Sequence, residues 1–148
     1  MEKPAKTHYE LLFDFILRVK HEWGYIAEHH DLSLVQLHAI GVLMHGPEPM
    51  VKLSNMLSCD ASYVTGIVDR LEQQGFVDRH EDPGDRRVKL IALTKKGRAL
   101  RVKVQQSMNE LQESLMACLD ENEKAEFNRM LLKINTSTPP KCIQTKNL

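Results

Sequence analysis

The chain has 148 residues, a usual size for one domain and long enough to bury a core, with 42% hydrophobic and 27% charged residues. Twenty basic residues cancel twenty acidic ones, so the global charge does not announce a nucleic-acid partner and local distribution has to decide. Three cysteines (Cys59, Cys118, Cys142), an odd number without a CxxC pair, suggest neither a disulfide framework nor a zinc finger, and no apolar stretch reaches the roughly 18 residues needed to span a membrane.

The first residues, MEKPAKTHYE, lack the apolar centre of a signal peptide, so the expected location is the cytoplasm, with no membrane partner. From Tyr9 to about His29, Leu12, Phe15, Ile16, Val19, Trp23 and Ile26 recur at helical spacing, with Gly24 a weak point. Ser33-Leu34-Val35-Gln36 reads as a capping box that opens a second helix, with Leu34, Leu37, Ile40, Gly41 and Leu43/Met44 as its apolar face. The prolines of HGPEP end it.

Residues 51–76 are too interrupted for one helix. Val51, Leu53, Met56 and Leu57 make a short apolar face, and Ser58-Cys59-Asp60 supplies a turn in which Asp60 caps the next helix. That helix puts Val64, Ile67, Val68 and Leu71 on one side and stops at Gly75. Two short helices joined by about three residues form a helix-turn-helix pattern.

GFVDRH and RRVKLIAL read as strands joined by EDPGD, with Val88, Leu90 and Ala92 on one face and Lys89 turned away. Thr94 caps a helix running from Lys95 to about Leu119. Asp120 to Glu123 caps a last one containing Ala125, Phe127, Met130, Leu131 and Ile134. The polar segment 136–148 reads as a disordered tail. The expected fold is mainly α (α+β): a winged helix-turn-helix with additional N- and C-terminal dimerisation helices, in a single domain over 1–148. The DNA-binding lobe spans about 33–93 and the dimerisation helices about 7–30 and 94–135. Such surplus amphipathic helices most simply bury against another subunit.

Residues 86–103 hold eight basic groups and no acid: Arg86, Arg87, Lys89, Lys95, Lys96, Arg98, Arg101 and Lys103. Glu110 to Glu126 holds six acids against one lysine. A neutral total therefore conceals a basic wing and an acidic C-terminal region. Basic groups beside a helix-turn-helix suit phosphate contact, because neutralised phosphates release counterions. Arg98, Arg101 and Lys103 are equally compatible with a solvated helix face.

With wing and helix placed together, the chain resembles the MarR family of winged-helix transcriptional regulators. The resemblance rests on Asp69-Arg70-Leu71-Glu72 with Gly75, on Arg79, on the wing Asp82 to Arg87, and on Leu93-Thr94 with Gly97. It implies a homodimer joined through the first and last two helices. It further implies binding to palindromic, double-stranded promoter DNA, commonly as a repressor released by a small molecule. By the resemblance, Arg87 enters the minor groove and is oriented by Asp85, Arg86 is a more variable phosphate contact, and Lys89 belongs to the same wing. Asp69 and Arg79 then form a structural ion pair.

The exposed side of the second short helix offers Ala61, Ser62, Tyr63, Thr65 and Gly66 to base edges and phosphates in the major groove. Gly66 costs about 1 kcal/mol against alanine in a helix interior, which suits either close approach to DNA or tight packing on a neighbouring helix. Lys52, Ser54 and Asn55 are candidate DNA-backbone contacts. For a small aromatic or amphipathic effector, the candidate lining residues are His21, Trp23, His38 and Met44.

Cys59, just before the recognition helix, is either an inert thiol or a redox-active one activated by the helix N-terminus. His29, His30 and His38 with Glu28 and Asp31 form a loose cluster that suggests a metal-responsive regulator, although no histidine follows His80. No phosphate-binding glycine loop, GxSxG or HExxH is present, so no enzyme, cofactor or resident metal is expected. The rival function is a winged helix used only for protein-protein contact. Paired wing arginines beside a polar recognition face argue against it.

Overall fold

The computed structural model describes residues 5–137. Cys142 and residues 138–148 of the expected tail lie outside them. Ten elements follow in order: α1 (His8–His29), α2 (Leu34–Val42), a 3-10 turn (Leu43–His45), β1 (Glu48–Pro49), α3 (Met50–Leu57), α4 (Ala61–Gln73), β2 (Val77–Glu81), β3 (Lys89–Leu93), α5 (Lys95–Met116) and α6 (Glu121–Thr136). The chain divides after Leu111 into two compact units. Among the described residues, no helix is long and apolar enough to cross a membrane.

Local chemistry sets the helix ends. Thr7 with Glu10, Ser33 with Gln36, and Asp120 with Glu123 each close a capping box, satisfying backbone amides that have no partner inside the helix. α4 ends in a Schellman arrangement: Gly75 N–H donates to Glu72 O at 2.8 Å and Phe76 N–H to Leu71 O at 2.9 Å. Gly75 there has φ +74°, a conformation that strains any residue with a Cβ.

The first unit is built around one apolar cluster. Ala27 of α1, Leu37, Ala39 and Ile40 of α2, Leu53 of α3 and Val104 of α5 join the expected α4 residues Val64, Ile67, Val68 and Leu71, all buried. The α3 face is narrower than expected. Val51 and Met56 are 73% and 53% exposed, and only Leu53 and Ser54 of that helix are buried. An eight-residue helix has room for one buried turn, so Val51 and Met56 stay outside.

The sheet has three strands in the order β1-β3-β2, all antiparallel. HGPEP does more than end α2: Glu48 pairs with Ile91 and Pro49 with Leu90, so this stretch supplies an edge strand. Pro49 fits an edge because it has no amide to donate. The face assigned to β3 from its sequence is reversed. Ile91 and Leu93 are the buried residues, while Leu90 and Ala92 are half-buried. Lys89 shares the inner side but projects beyond the core, where its Nζ pairs with Glu81 at 2.9 Å. Both faces of KLIAL are apolar, so alternation alone does not select the inner one. Arg86 and Arg87 precede the strand in a turn closed by Val88 N–H donating to Asp85 O at 2.8 Å.

Thr94 fixes the start of α5. Its hydroxyl accepts from Gly97 N–H at 3.0 Å and donates to Gly75 O at 2.7 Å, so one residue caps a helix and ties it to the end of α4. Gly97 has a steric reason: a Cβ there would overlap the Phe76 carbonyl. α5 stops at Met116, short of the expected Leu119. α6 continues one residue into the expected tail, with Thr136 helical and Ser137 as C-cap. It buries none of its residues within the chain, and Met130, Leu131, Leu132 and Ile134 are exposed.

Candidate nucleic-acid interface

α4 presents one face outward. Ala61, Ser62, Tyr63, Thr65 and Gly66 are all exposed, while every third or fourth residue behind them enters the core. Asp60 caps the helix by accepting from Tyr63 N–H at 2.8 Å and from Ser62 Oγ at 2.6 Å. These bonds, led by the Ser62 hydroxyl, hold the Asp60 carboxyl below its ordinary range. Thr65 Oγ1 donates to Ala61 O at 2.8 Å, so the Ser62 and Thr65 hydroxyls are turned back on the helix and its cap, while Tyr63 stays exposed. Nothing lies within 4 Å of where a Gly66 Cβ would stand, which removes the helix-packing explanation for that glycine.

The wing turn holds the second set. Arg87 donates to Asp85 Oδ1 from Nε at 3.1 Å and from its backbone N–H at 3.0 Å, and to Oδ2 from Nη2 at 3.3 Å. The Arg87 side chain is nevertheless 91% exposed. Its guanidinium is thus aimed without being covered, and it holds the Asp85 carboxyl below its ordinary range. Arg86 is exposed and forms no ion pair among the described residues.

Between helix and wing, Arg79 on β2 bridges two α4 carboxylates: Nη2 to Asp69 Oδ1 at 2.5 Å and Nη1 to Glu72 Oε2 at 2.6 Å. The Asp69–Arg79 pair has the expected geometry, and Glu72 is an additional partner. The group fixes the wing strand against the outward helix.

Two assignments made from the sequence change. Ser54 is buried and its hydroxyl donates to Met50 O at 3.1 Å, so it offers no surface contact. Lys52 and Asn55 are exposed, with Lys52 Nζ on Glu48 at 2.8 Å. The basic block also divides by job. Lys96 donates to Gln74 O at 2.8 Å and lies over the Phe76 ring, while Arg98 donates to Leu93 O at 2.5 Å. Both fasten α5 to the ends of α4 and β3. Lys95 and Lys103 remain exposed.

Away from this face, α1, α2, α3 and α5 enclose a cleft of about 420 Å³ lined by Trp23, His38, Met44, Met56, Arg101 and Met108, among others. Three of the four expected effector residues line it. His21 does not: it stacks edge-on against Tyr25 in a separate groove with Lys20 and Glu28. The Trp23 and His38 rings meet edge-to-face at 5.2 Å. Burial holds His38 below its ordinary pKa, so it is neutral near pH 7. His38 Nε2 and Arg101 Nε are both buried without a hydrogen-bond partner. In the sequence Arg101 is only one member of a basic stripe; its turn toward the cleft comes from its position three residues before buried Val104.

Redox and metal responses find less support in the geometry. Cys59 is half-buried and its thiol donates to Leu57 O at 3.2 Å. The His29–His30 cluster does not converge: the two rings meet edge-to-face at 5.1 Å, and no three His, Cys, Asp or Glu side chains among the described residues are grouped to hold a metal.

A three-stranded wing beside an outward helix with a capped N-terminus defines a winged helix-turn-helix protein. The MarR family model matches residues 32–89 of the chain. Over 90 residues it is 31% identical to the HTH-type transcriptional repressor NicR of Pseudomonas putida, a match covering 61% of this chain and 57% of that one. The chain spans little more than half the length of the first curated relatives it matches. The fold agrees with wild-type apo MarR from E. coli at a TM-score of 0.78 and 23% identity, over 89% of this chain and 98% of that one. It also agrees with Bordetella bronchiseptica BpsR at a TM-score of 0.73 and 22% identity, over 93% and 99%. The BpsR structure concerns the mechanism by which 6-hydroxynicotinic acid regulates that protein's DNA binding. The curated relatives are named as transcriptional regulators.

Proposed function

We propose that the chain is a transcriptional repressor that binds a pseudo-palindromic operator as a homodimer and is released by a small organic acid. The observation that carries the DNA reading is the pairing of an outward, small-residue α4 face with an exposed Arg87 aimed by Asp85. α4 suits the major groove. A planar guanidinium suits the narrow minor groove beside it, where the potential is enhanced. A protein-contact module has no use for either feature.

Self-association is supported by apolar surface that one chain leaves open. Leu12, Phe13 and Ile16 of α1 are 47–58% exposed, and Met130, Leu131, Leu132 and Ile134 of α6 are 39–67% exposed. Two copies would present two recognition helices to half-sites about 10 bp apart. The effector reading is supported by the cleft, where Arg101 Nε and His38 Nε2 are buried without partners. An aromatic acid supplies a carboxylate for the arginine and a flat ring for Trp23. The regulator of BpsR, 6-hydroxynicotinic acid, belongs to that chemical class.

The deciding experiment titrates the protein against duplex DNA from upstream of its own gene at two salt concentrations. Binding that weakens steeply with salt is expected, since each neutralised phosphate releases counterion. No binding at low salt would overturn the reading in favour of a protein-contact module. Adding 6-hydroxynicotinic acid as probe is expected to release the DNA, and Arg101→Leu to abolish that release.

A further inference from the structure

We infer that Gly66 is a specificity determinant of the DNA-reading helix: its missing side chain lets α4 approach the base-pair edges more closely than any other residue would allow. This rests on the DNA-binding reading above. Gly66 lies in the middle of α4, where glycine is the worst helix former apart from proline. Inside one chain, three causes could require it, and the structure removes each. It is not among the described glycines with positive φ, which are Gly46 and Gly75. A Cβ would meet nothing within 4 Å, in contrast to Gly97 against the Phe76 carbonyl. α4 runs unbroken from Ala61 to Gln73, so Gly66 makes no helix break. The reason for the glycine therefore lies outside the folded chain.

Its neighbours say what comes close. Helix side chains lean toward the N-terminus, so a side chain at 66 would cover the surface over Ser62 and Tyr63. That is the stretch a helix-turn-helix presents to base edges. Its neighbours one turn away are Ser62 and Tyr63 on the N-terminal side and Asp69 and Arg70 on the C-terminal side; the Ser62 hydroxyl is already bonded to the cap Asp60 and Asp69 to Arg79. Tyr63, 49% exposed, and exposed Arg70 flank the gap that Gly66 leaves. Gly66 thus leaves an open gap on this face between Tyr63 and Arg70. Recognition there works by fit against the groove floor, with polar contacts supplied from the rim. Such fit matters only in the sequence-specific complex, since non-specific binding is electrostatic and does not depend on contact with base edges.

The test compares the wild-type protein with Gly66→Ala and Gly66→Leu. Each is titrated with a duplex that the wild type selects from a randomised pool and with an unselected duplex of equal length. Affinity for the selected duplex is expected to fall at least tenfold in Gly66→Ala and further in Gly66→Leu, with unselected binding unchanged. Thermal midpoints are expected to move the other way, up by roughly 3 °C in Gly66→Ala, because alanine is the better helix former. Falling affinity with rising stability excludes misfolding as the cause. Equal losses in both variants would point to helix flexibility and overturn the steric role, and so would wild-type affinity in Gly66→Ala. If the wild type itself selects no duplex, the DNA-binding reading falls and this inference falls with it.

Discussion

Asp85 accepts three hydrogen bonds from the single residue Arg87, two from the guanidinium and one from the backbone amide, while leaving the Arg87 side chain 91% exposed. The carboxylate acts as a bracket that restricts the arginine's rotamers before any ligand arrives. Arg87→Ala is expected to weaken operator binding by about 1–3 kcal/mol while leaving fold and dimer intact. Arg87→Lys is expected to recover little, because an ammonium is a point charge without the planar fork that engages Asp85. Operator titrations with circular dichroism would check both, and wild-type affinity in Arg87→Ala would remove the wing from the interface.

Gly97→Ala is expected to destabilise the chain by about 1–3 kcal/mol, as overpacking does. The obstacle is the Phe76 carbonyl, a backbone atom that cannot rotate aside. A fall in the urea midpoint is the readout, and an unchanged midpoint would mean that α5 can shift away from β2 without cost.

Arg79→Ala removes one cation from two α4 carboxylates. All three side chains are about a third to a half exposed, so solvent screening holds the loss to about 1 kcal/mol or less. The larger effect is expected in wing dynamics: amide exchange along β2 rises, and the stability difference shrinks in high salt. Equal loss at low and high salt would argue that Arg79 acts through packing of its aliphatic stem.

Stability is expected to fall below about pH 6.5, the ordinary histidine pKa. Burial lowers the pKa of His38, and burial, His29 and Lys103 lower that of His30. As pH drops through the ordinary value, the unfolded chain takes up protons that the folded chain refuses. Stability is therefore constant above that value and declines below it until the folded histidines themselves protonate. Replacing His38 with Gln is expected to flatten the decline between about pH 6.5 and 5.5. An unchanged slope would assign the effect elsewhere.

Most of the site was legible because its signals are local. Asp60, Gly75, Thr94 and Gly97 act on backbone groups within a few residues or at a chain crossing that a motif marks. The face of α4 followed from four buried residues at helical spacing. What escaped depends on distant partners. β1 is two residues long and exists only because β3 offers it an edge. The inner face of β3 is set by the core beneath Ile91, since both faces of the strand are apolar. Ser54 and Arg101 look like surface residues until the packing of α3 and α5 turns them inward. Capping is written in neighbouring residues, whereas burial is written in the whole chain.

The smallest strand joins the two halves of this regulatory surface. Met44 and His45 form part of the cleft wall, and Glu48 and Pro49 follow them directly in the chain. Those two residues are paired with Ile91 and Leu90, three or four positions from Arg87. Under the proposed effector reading, a guest that displaces the cleft wall would pull on a backbone already paired with the wing strand. The chain between them is too short to absorb the movement as slack. Cleft wall and wing are therefore linked along the chain by a few residues as well as through the core.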